Sequence, residues 1–239
     1  MTLFEPHYSP QGEEILPSDV ATRALSVIAV ENDFVERVYQ SLASVYDFTY
    51  GPTLHPGRVQ AIQRMGIKSG DRVLEVGVGT GINACLYPPD CAVTGIDFSS
   101  LMLEKARDRV ARKGIRNIRL IEMDAADLKF ADATFDIVYA PYLISVVTDP
   151  IAVAREMHRV CRPGGRVILL NHFRSPNPML AWFERVISPF TVHIGFRSDL
   201  DLPAFVAQAD LDPLSIEKVN IPRIWSLITC VKDGRPRIG

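Results

Sequence analysis

The stretch Val73-Leu74-Glu75-Val76-Gly77-Val78-Gly79-Thr80-Gly81 decides the fold of this chain. Its first part belongs to an apolar run, Arg72–Val76, of the kind that forms a short buried strand. The glycines that follow stand at alternate positions, and glycine allows both a tight turn and a close approach of another group to the backbone. In a doubly wound sheet, ligands bind outside the carboxyl ends of the strands. The stretch therefore predicts a strand, a ligand-binding turn and a helix.

Short apolar runs and helical patterns alternate along the chain after this turn. The further strands predicted are Ala92–Ile96, Ile118–Glu122, Phe135–Ala140 and Arg166–Asn171, and the helices between them are Ser99–Arg112 and Pro150–Cys161. Such alternation favours a parallel sheet covered on both faces, and right-handed crossovers make it doubly wound. Beyond these, a helix is predicted over Leu202–Ala209 and an antiparallel pair over Ser215–Asn220 and Trp225–Val231. The predicted fold class is α/β, with a mostly parallel, Rossmann-like sheet.

The N-terminal part of the chain does not follow this alternation. Residues 1–17 are rich in proline and predict an irregular arm, and two helical patterns follow it. The glycines and prolines of residues 51–57 predict a loop before a short helix, Arg58–Met65. We therefore expect an N-terminal arm with lid helices in residues 1–57 and the main domain in residues 58–239.

The composition is that of a soluble globular domain with balanced charge. Hydrophobic residues make up 47% of the 239 residues, and 26 Lys and Arg stand against 28 Asp and Glu. Without a basic excess, the chain is not expected to bind nucleic acid. The four cysteines show no C-x-x-C spacing, and the five histidines form no i, i+4 pair near a carboxylate. Neither a metal site nor a disulfide frame is therefore expected.

The sequence also bears on where the protein works. Its first eight residues lack the basic and apolar regions of a secretory signal, so a cytoplasmic location is expected. The best candidate for a membrane span, Met179–Phe196, is interrupted by Glu184, Arg185 and Pro189. We therefore expect the chain to lie on a membrane surface, through apolar side chains such as Trp182, rather than to cross the bilayer.

Acidic residues follow the ends of three successive predicted strands: Glu75, Asp97 and Asp124. Glu75 would repel a pyrophosphate and attract an ammonium group, and Ile82 stands where a dinucleotide-binding turn has its third glycine. Asp97 is placed to accept both hydroxyl hydrogens of a ribose, and Asp124 to accept from an adenine amine. Glycine turns without a ligand occur, and each carboxylate alone also suits a solvated or capping position. The set favours a ligand with an ammonium, a ribose and an adenine but no phosphate, which is S-adenosylmethionine (SAM).

These motifs resemble, in order and spacing, the class I SAM-dependent methyltransferases over about residues 40–172. The matching stretches are Glu75-Val76-Gly77-Val78-Gly79-Thr80-Gly81, Gly95-Ile96-Asp97-Phe98-Ser99, Met123-Asp124-Ala125, Phe135-Asp136-Ile137-Val138 and Arg162-Pro163-Gly164-Gly165. The resemblance implies a seven-stranded sheet with a reversed last hairpin and a SAM-dependent methyltransferase domain in residues 58–239. It also implies that the three glycines approach the methionine part of SAM and that Asp97 holds the ribose. Phe98 would pack on the adenine, and Asp124 with Ala125 would contact its edge.

A narrower resemblance rests on further motifs. They are Val45-Tyr46-Asp47 with Gly51-Pro52 and Gly57-Arg58, Ala140-Pro141-Tyr142-Leu143-Ile144-Ser145-Val146-Val147, and Asn171-His172-Phe173. Together they resemble the bacterial phospholipid N-methyltransferases, which convert phosphatidylethanolamine stepwise to phosphatidylcholine. This implies a phospholipid partner at the inner face of the membrane and leaves the oligomeric state open. Tyr46 is expected to contact SAM and Tyr50 to contact the substrate.

Methyl transfer to an amine requires that the amine lose its proton before or during attack. Tyr142 and His172, at the ends of the fourth and fifth predicted strands, would face the methyl group and are the predicted catalytic residues. The alternative for Tyr142 is packing over the cofactor, and the alternative for His172 is a structural bond to nearby backbone. Arg174 and Arg197 are candidates for binding the lipid phosphate.

Other functions are compatible with parts of this pattern. A methyltransferase that acts on a soluble amine or a quinone-like ring would share the SAM motifs and differ in its acceptor. A SAM-binding module without catalysis would also share them. A nicotinamide-dependent oxidoreductase is disfavoured by Ile82 and Glu75.

Overall fold

A computed structural model describes residues 51–174, 200–220 and 224–233 of the protein. The strands within these residues are β1 (Arg72–Val76), β2 (Ala92–Asp97), β3 (Ile118–Glu122), β4 (Phe135–Pro141), β5 (Cys161–His172), β6 (Pro213–Val219) and β7 (Trp225–Val231). The helices are α1 (Gly51–Arg64), α2 (Ser100–Arg112), α3 (Pro150–Val160) and α4 (Leu202–Gln208), with a 3₁₀ helix at Ile82–Cys85. The predicted N-terminal arm and the apolar stretch Met179–Phe196 lie outside the described residues.

The strands form one seven-stranded sheet in the order β3-β2-β1-β4-β5-β7-β6. Neighbouring strands from β3 to β5 are parallel, whereas β7 is antiparallel to both β5 and β6. This confirms the predicted sheet with its reversed last hairpin. The chain moves outward from β1 to β3 and then returns to β4 on the other side of β1. The strand order therefore reverses between β1 and β4, and at such a point a crevice opens beyond the carboxyl ends of the strands.

Apolar side chains cover both faces of the sheet, as a mostly parallel sheet requires. On one face, α3 and α4 contribute buried residues such as Met157 and Phe205. On the other face, α1 contributes Leu54, Ile62 and Met65. Because the central strands are buried from both sides, their sequences are almost continuously apolar. This is the reason why short runs without alternation predict them correctly.

Helix α1 begins earlier than the sequence predicts. The loop predicted for residues 51–57 is wrong, because α1 covers them with Pro56 inside the helix. Proline lacks an N–H and disfavours a helix interior, so local propensity indicates a loop. Tertiary contacts override this propensity: Leu54 is buried against the sheet, and the Gly57 N–H donates to Asn220 Oδ1 at 2.5 Å. The predicted domain division falls inside α1 and stays a prediction.

The connection from α3 to β5 also differs from the prediction. Helix α3 ends at Val160, and β5 begins directly at Cys161. The register against β4 shifts just after this point, so residues 162–165 bulge from the ladder. The bulge is held by the Gly164 N–H, which donates to the carbonyl of Lys232 at 2.7 Å. Proline and glycine here indicate a turn locally, whereas backbone hydrogen bonds of Gly164 and Gly165 with Lys232 hold this segment beside the end of β7.

Backbone hydrogen bonds join the carboxyl ends of β1, β2 and β3. The N–H groups of Gly77 and Val78 donate to the Ile96 carbonyl at 2.9 and 2.8 Å. The Met123 N–H donates to the Asp97 carbonyl at 3.0 Å. The turns that follow these strands therefore lie at one edge of the sheet and form a single surface.

We expect Met157→Ala to lower the free energy of unfolding by about 2–5 kcal/mol, because Met157 is fully buried between α3 and the sheet. Arg107→Ala, at an exposed position of α2, is the control and should change it by less than about 0.5 kcal/mol. Denaturant titration measures both values. Equal stability of the two variants would contradict this description of the core.

Candidate functional site

The turn after β1 holds its glycines in the left-handed backbone conformation. Gly77, Gly79 and Gly81 have φ angles of 76°, 54° and 73°. A Cβ at Gly77 would lie 2.8 Å from Leu143 Cδ1, and one at Gly81 would lie 3.1 Å from Ala106 Cβ, so the packing of the protein requires both glycines. A Cβ at Gly79 would meet nothing within 4 Å. Gly79 therefore lines open space at the carboxyl edge, where a ligand can contact the backbone.

Asp97 connects this turn to the start of α2. Its Oδ2 accepts from the Gly79 N–H at 2.8 Å, and its Oδ1 accepts from the Ser99 N–H at 3.0 Å. Burial raises the pKa of the Asp97 carboxyl, while these backbone donors act in the opposite direction. A carboxylate oxygen has a second lone pair for a further donor. The geometry of Asp97 therefore fits the hydroxyl groups of a ribose, and its contact with SAM stays a prediction.

The residues predicted to contact the adenine lie at the same edge. Phe98 is 45% exposed, which leaves its ring accessible for stacking. Asp124 is exposed, and its Oδ1 accepts from the Ala126 N–H at 2.8 Å. Ala125 is half-buried and packs on the core beneath. An accessible aromatic ring near a carboxylate suits a planar base that carries an amine, although these contacts also stay predictions.

Glu75 lies beneath the glycine turn and is fully buried. Its Oε1 accepts from Asn83 Nδ2 and its Oε2 from the Tyr87 hydroxyl, each at 2.6 Å. Burial raises the pKa of the Glu75 carboxyl from 4.5 to about 7, although Tyr87, Arg58 and Asn83 each lower it. Glu75 therefore belongs to a closed polar cluster rather than to the open crevice. Its contact with the ammonium group of SAM stays a prediction.

Tyr142 lies where α1, the end of β4 and the β6–β7 hairpin meet. Its φ angle is 58°, and the residue is only 7% exposed. Its hydroxyl donates to the Leu54 carbonyl and accepts from Asn220 Nδ2, each at 2.9 Å. The Arg58 guanidinium carbon lies 4.9 Å from the centroid of the Tyr142 ring. Because the hydroxyl hydrogen goes to the backbone, Tyr142 would meet an amine as an acceptor; its catalytic role stays a prediction.

His172, the other predicted catalytic residue, ends β5 and is 6% exposed. Its ring packs edge to face on Trp225, with 5.5 Å between the ring centroids. Tyr142 contacts the same tryptophan edge to face at 5.2 Å. The structure therefore brings the two predicted catalytic residues to one indole ring. Whether either one acts on the acceptor amine stays a prediction.

Arg174, a predicted phosphate ligand, forms an ion pair with Asp201. Asp201 also caps α4, because its side chain accepts from the Ala204 N–H at 2.9 Å. A lipid phosphate would therefore have to share the Arg174 guanidinium with the Asp201 carboxylate. Three other predicted site residues, Tyr46, Tyr50 and Arg197, lie outside the described residues.

Several side chains of the site were assigned no role from the sequence. They are Arg58, Asn83, Tyr87, Asn220 and Trp225. A buried carboxylate requires hydrogen-bond donors, so the burial of Glu75 predicts polar partners without saying which ones. Asn83 carries a usable signal, since it is a polar residue inside a short apolar stretch. Trp225 and Asn220 come from the distant hairpin, and no local pattern relates them to the glycine turn.

The raised pKa of Glu75 makes stability depend on pH. The folded state holds the proton to about pH 7, whereas the unfolded carboxyl loses it near 4.5, so the free energy of unfolding falls as pH rises between these values. In the wild type, we expect the free energy of unfolding to fall by about 3 kcal/mol between about pH 4 and pH 8, and we expect Glu75→Gln to abolish this fall. Glu104→Gln, at an exposed position of α2, should keep the wild-type dependence. Identical curves for wild type and Glu75→Gln would contradict the burial of a titrating carboxyl.

Comparison with known proteins shows the family. A family model described as a methyltransferase domain matches residues 74–169. A phosphatidylethanolamine N-methyltransferase of Cereibacter sphaeroides is 42% identical over 184 residues, which cover 77% of this chain and 90% of that protein. A demethylmenaquinone methyltransferase of Geobacillus kaustophilus (strain HTA426) is 33% identical over 161 residues, 64% of this chain and 67% of that protein.

Solved structures show the same fold. Haemonchus contortus phosphoethanolamine N-methyltransferase 2 in complex with SAM has a TM-score of 0.68 at 18% identity, over 85% of this chain and 60% of that one. A SAM-dependent methyltransferase from Aquifex aeolicus has a TM-score of 0.60 at 17% identity, over 80% of this chain and 97% of that one. With the open glycine turn and Asp97 in place, membership of the methyltransferase family confirms the predicted cofactor. The chain is a SAM-dependent methyltransferase with the class I fold, and it belongs to the family of the C. sphaeroides phosphatidylethanolamine N-methyltransferase.

Proposed function

We propose that this methyltransferase transfers methyl groups to the amine of phosphatidylethanolamine and of its methylated forms, which leads to phosphatidylcholine. The observation that carries the proposal is the 42% identity to a phosphatidylethanolamine N-methyltransferase across 90% of that protein. When bound, SAM supplies a methyl group attached to a positively charged sulfur. The task left to the chain is to place a deprotonated amine in line with that methyl group and to exclude water.

We assign SAM to the carboxyl edge of β1, β2 and β3. The open space at Gly79 and the braced carboxylate of Asp97 support the position of the methionine and ribose parts. The exposed ring of Phe98, with Asp124 and Ala125 nearby, supports the position of the adenine. In this proposal, the reactive end of the cofactor would face the end of β4, which lies across the switch point from β1.

The acceptor amine belongs, in this proposal, beside Tyr142, His172 and Trp225. The ethanolamine amine is mostly protonated at neutral pH, so a group on the protein or a water molecule must take its proton. The imidazole of His172 is a candidate for taking the proton, and the hydroxyl oxygen of Tyr142 is a candidate for positioning the amine by accepting a hydrogen bond. Both rings contact Trp225. As methylation proceeds, the product becomes a bulky fixed cation, which aromatic faces bind better than carboxylates do.

A lipid acceptor requires that the reaction take place at a membrane surface. Two acyl chains of about 15 methylenes each, at roughly 0.8 kcal/mol per methylene, would cost on the order of 20 kcal/mol to draw into water. The enzyme should therefore meet the headgroup at the inner membrane face as a peripheral, cytoplasmic protein. Apolar side chains of Met179–Phe196 and phosphate contacts from Arg174 and Arg197 would serve this encounter. Within residues 51–174, 200–220 and 224–233, no helix has the length and apolar character needed to cross a bilayer.

The similarity to a demethylmenaquinone methyltransferase favours a second candidate, a quinone-like acceptor. Its identity of 33% extends over 67% of that relative, less than the coverage of the lipid enzyme. A ring carbon acceptor has no ammonium proton to lose, so the two candidates make different demands on the site.

We expect SAM-dependent methylation of vesicles that contain phosphatidylethanolamine, and of its mono- and dimethyl forms. Soluble phosphoethanolamine and a demethylmenaquinone in detergent should be methylated at least about 100-fold more slowly. Radiolabelled SAM with extraction of the lipid phase measures each acceptor. Preferred methylation of the quinone, or of the soluble amine, would overturn the lipid assignment while leaving the methyltransferase itself in place.

We expect Gly79→Ala to weaken SAM binding by at least tenfold, because its new Cβ would occupy the open space at the turn. Gly70→Ala is a matched control: its φ is +83° and its Cβ would also meet nothing within 4 Å, but it precedes β1 at the opposite edge. Both variants carry a similar backbone strain of about 1 kcal/mol, so only the ligand distinguishes them. Calorimetry with SAM decides; equal affinities would remove Gly79 from the cofactor site.

A further inference from the structure

Arg58 is a cation whose guanidinium lies partly inside the protein. It is half-buried on α1, and no carboxylate among the described residues lies within ion-pair distance of it. Its Nη1 instead donates to Asn83 Oδ1 at 3.3 Å, and its Nε has no hydrogen-bond partner within the described part of the chain. A partly buried guanidinium that has no direct counter-ion in the described part of the chain is costly, so its position calls for a physical reason.

Arg58 acts electrostatically on Glu75, since it lowers the pKa of that carboxyl, and Asn83 connects the two side chains. The Asn83 amide oxygen accepts from Arg58, while its Nδ2 donates to Glu75 Oε1 at 2.6 Å. The chain of contacts fixes the orientation of the amide, because the oxygen must face the cation and the nitrogen the carboxylate. Asn83 belongs to the 3₁₀ helix that follows Gly81 directly, so this contact connects α1 to the cofactor turn.

The other face of the guanidinium contacts the acceptor side. Its carbon lies 4.9 Å from the Tyr142 ring centroid, within the range of a cation–π interaction. Tyr142 and Asn220 both have positive φ angles, 58° and 65°, and they hydrogen-bond one another at 2.9 Å. Strained residues of this kind persist only where the surroundings hold them, and they cluster at functional sites.

Gly57 is what allows Arg58 to reach this position. A Cβ at Gly57 would lie 2.6 Å from Asn220 Oδ1 and 2.8 Å from the Tyr142 hydroxyl. Any side chain there would push α1 away from the end of β4. The glycine therefore brings the helix close enough for its next residue to extend between Tyr142 and Asn83.

We propose that Arg58 is a positioning residue that couples the two halves of the active site, holding Tyr142 on the acceptor side and the Asn83–Glu75 pair under the cofactor turn. One guanidinium contacts both the Tyr142 ring and Asn83. A displacement of either residue is therefore transmitted to the other through Arg58. The effect on methyl transfer rests on the proposed function, whereas the effect on Glu75 does not.

The substitutions Arg58→Met and Arg58→Lys separate the two contacts. Methionine removes the charge and the donors, whereas lysine keeps a point charge but has no planar group that both stacks on a ring and donates to an amide. Arg64→Met and Arg64→Lys are the matched controls on the same helix, because Arg64 is largely exposed and makes a surface ion pair with Glu217.

The first measurement is the pH dependence of unfolding for each variant, with and without Glu75→Gln. The charged or titratable groups that act on Glu75 are Arg58, Asp97 and Tyr87, and Tyr139 interacts with it from β4. The Arg58 cation lowers the pKa of Glu75 in the folded protein. Its loss should raise that pKa by roughly one unit, and the fall in stability with pH should then end at a correspondingly higher pH. Arg58→Lys and both Arg64 variants should leave it unchanged. An unchanged range in Arg58→Met would overturn the coupling to Glu75.

The second measurement is turnover with saturating SAM and vesicles that contain phosphatidylethanolamine. Arg58→Lys should lower kcat at least tenfold, while its affinity for SAM by calorimetry stays within about threefold of wild type. A wild-type kcat in Arg58→Lys would overturn the proposal that Arg58 positions Tyr142. If Arg58→Met fails to fold, Arg58→Lys still provides this test. If wild type methylates no lipid, the proposed function fails, and the shift in the Glu75 range still tests the contact between Arg58 and the cofactor turn.

Discussion

The buried carboxylate of Glu75 is the constraint on which the rest of the site depends. A carboxylate without exposure must have donors, and Asn83 and Tyr87 supply one to each oxygen. Asn83 in turn accepts from Arg58, which brings helix α1 against the glycine turn. Through Asn83, one acidic group at the end of β1 is thus connected to helix α1.

The carboxyl edge of the sheet carries two groups of residues, one at the glycine turn and one at the ends of β4 and β5. Asp97 holds the glycine turn through the Gly79 N–H and leaves open space above it, as a cofactor site requires. Tyr142 and His172 lie at the ends of β4 and β5, and Trp225 of β7 contacts both of their rings. Because β7 is antiparallel to β5, its first residue lies beside the last residue of β5. The reversed hairpin therefore contributes Trp225 to the place that we propose for the acceptor amine.

Local sequence patterns predict the fold well and the site in part. The strand and glycine pattern around Glu75 and the acid at Asp97 predict the sheet and the cofactor class, whereas the strand order comes from the structure. The prediction fails at Pro56, where local propensity indicates a loop and the structure has a helix. It is also incomplete at Tyr142, whose hydroxyl bonds to Leu54 and Asn220 are invisible in the sequence.

The sequence by itself determined the α/β class, the position of the glycine turn and the identity of the cofactor, because these depend on periodicity and on residues close together in the chain. Tertiary structure alone decided that Glu75 is buried, that α1 extends back through residues 51–57, and that Arg58 lies between Tyr142 and Asn83. The physical reason is that these features depend on hydrogen bonds and ring contacts between segments far apart in sequence. Gly57 and Asn220, for example, are 163 positions apart and share one hydrogen bond.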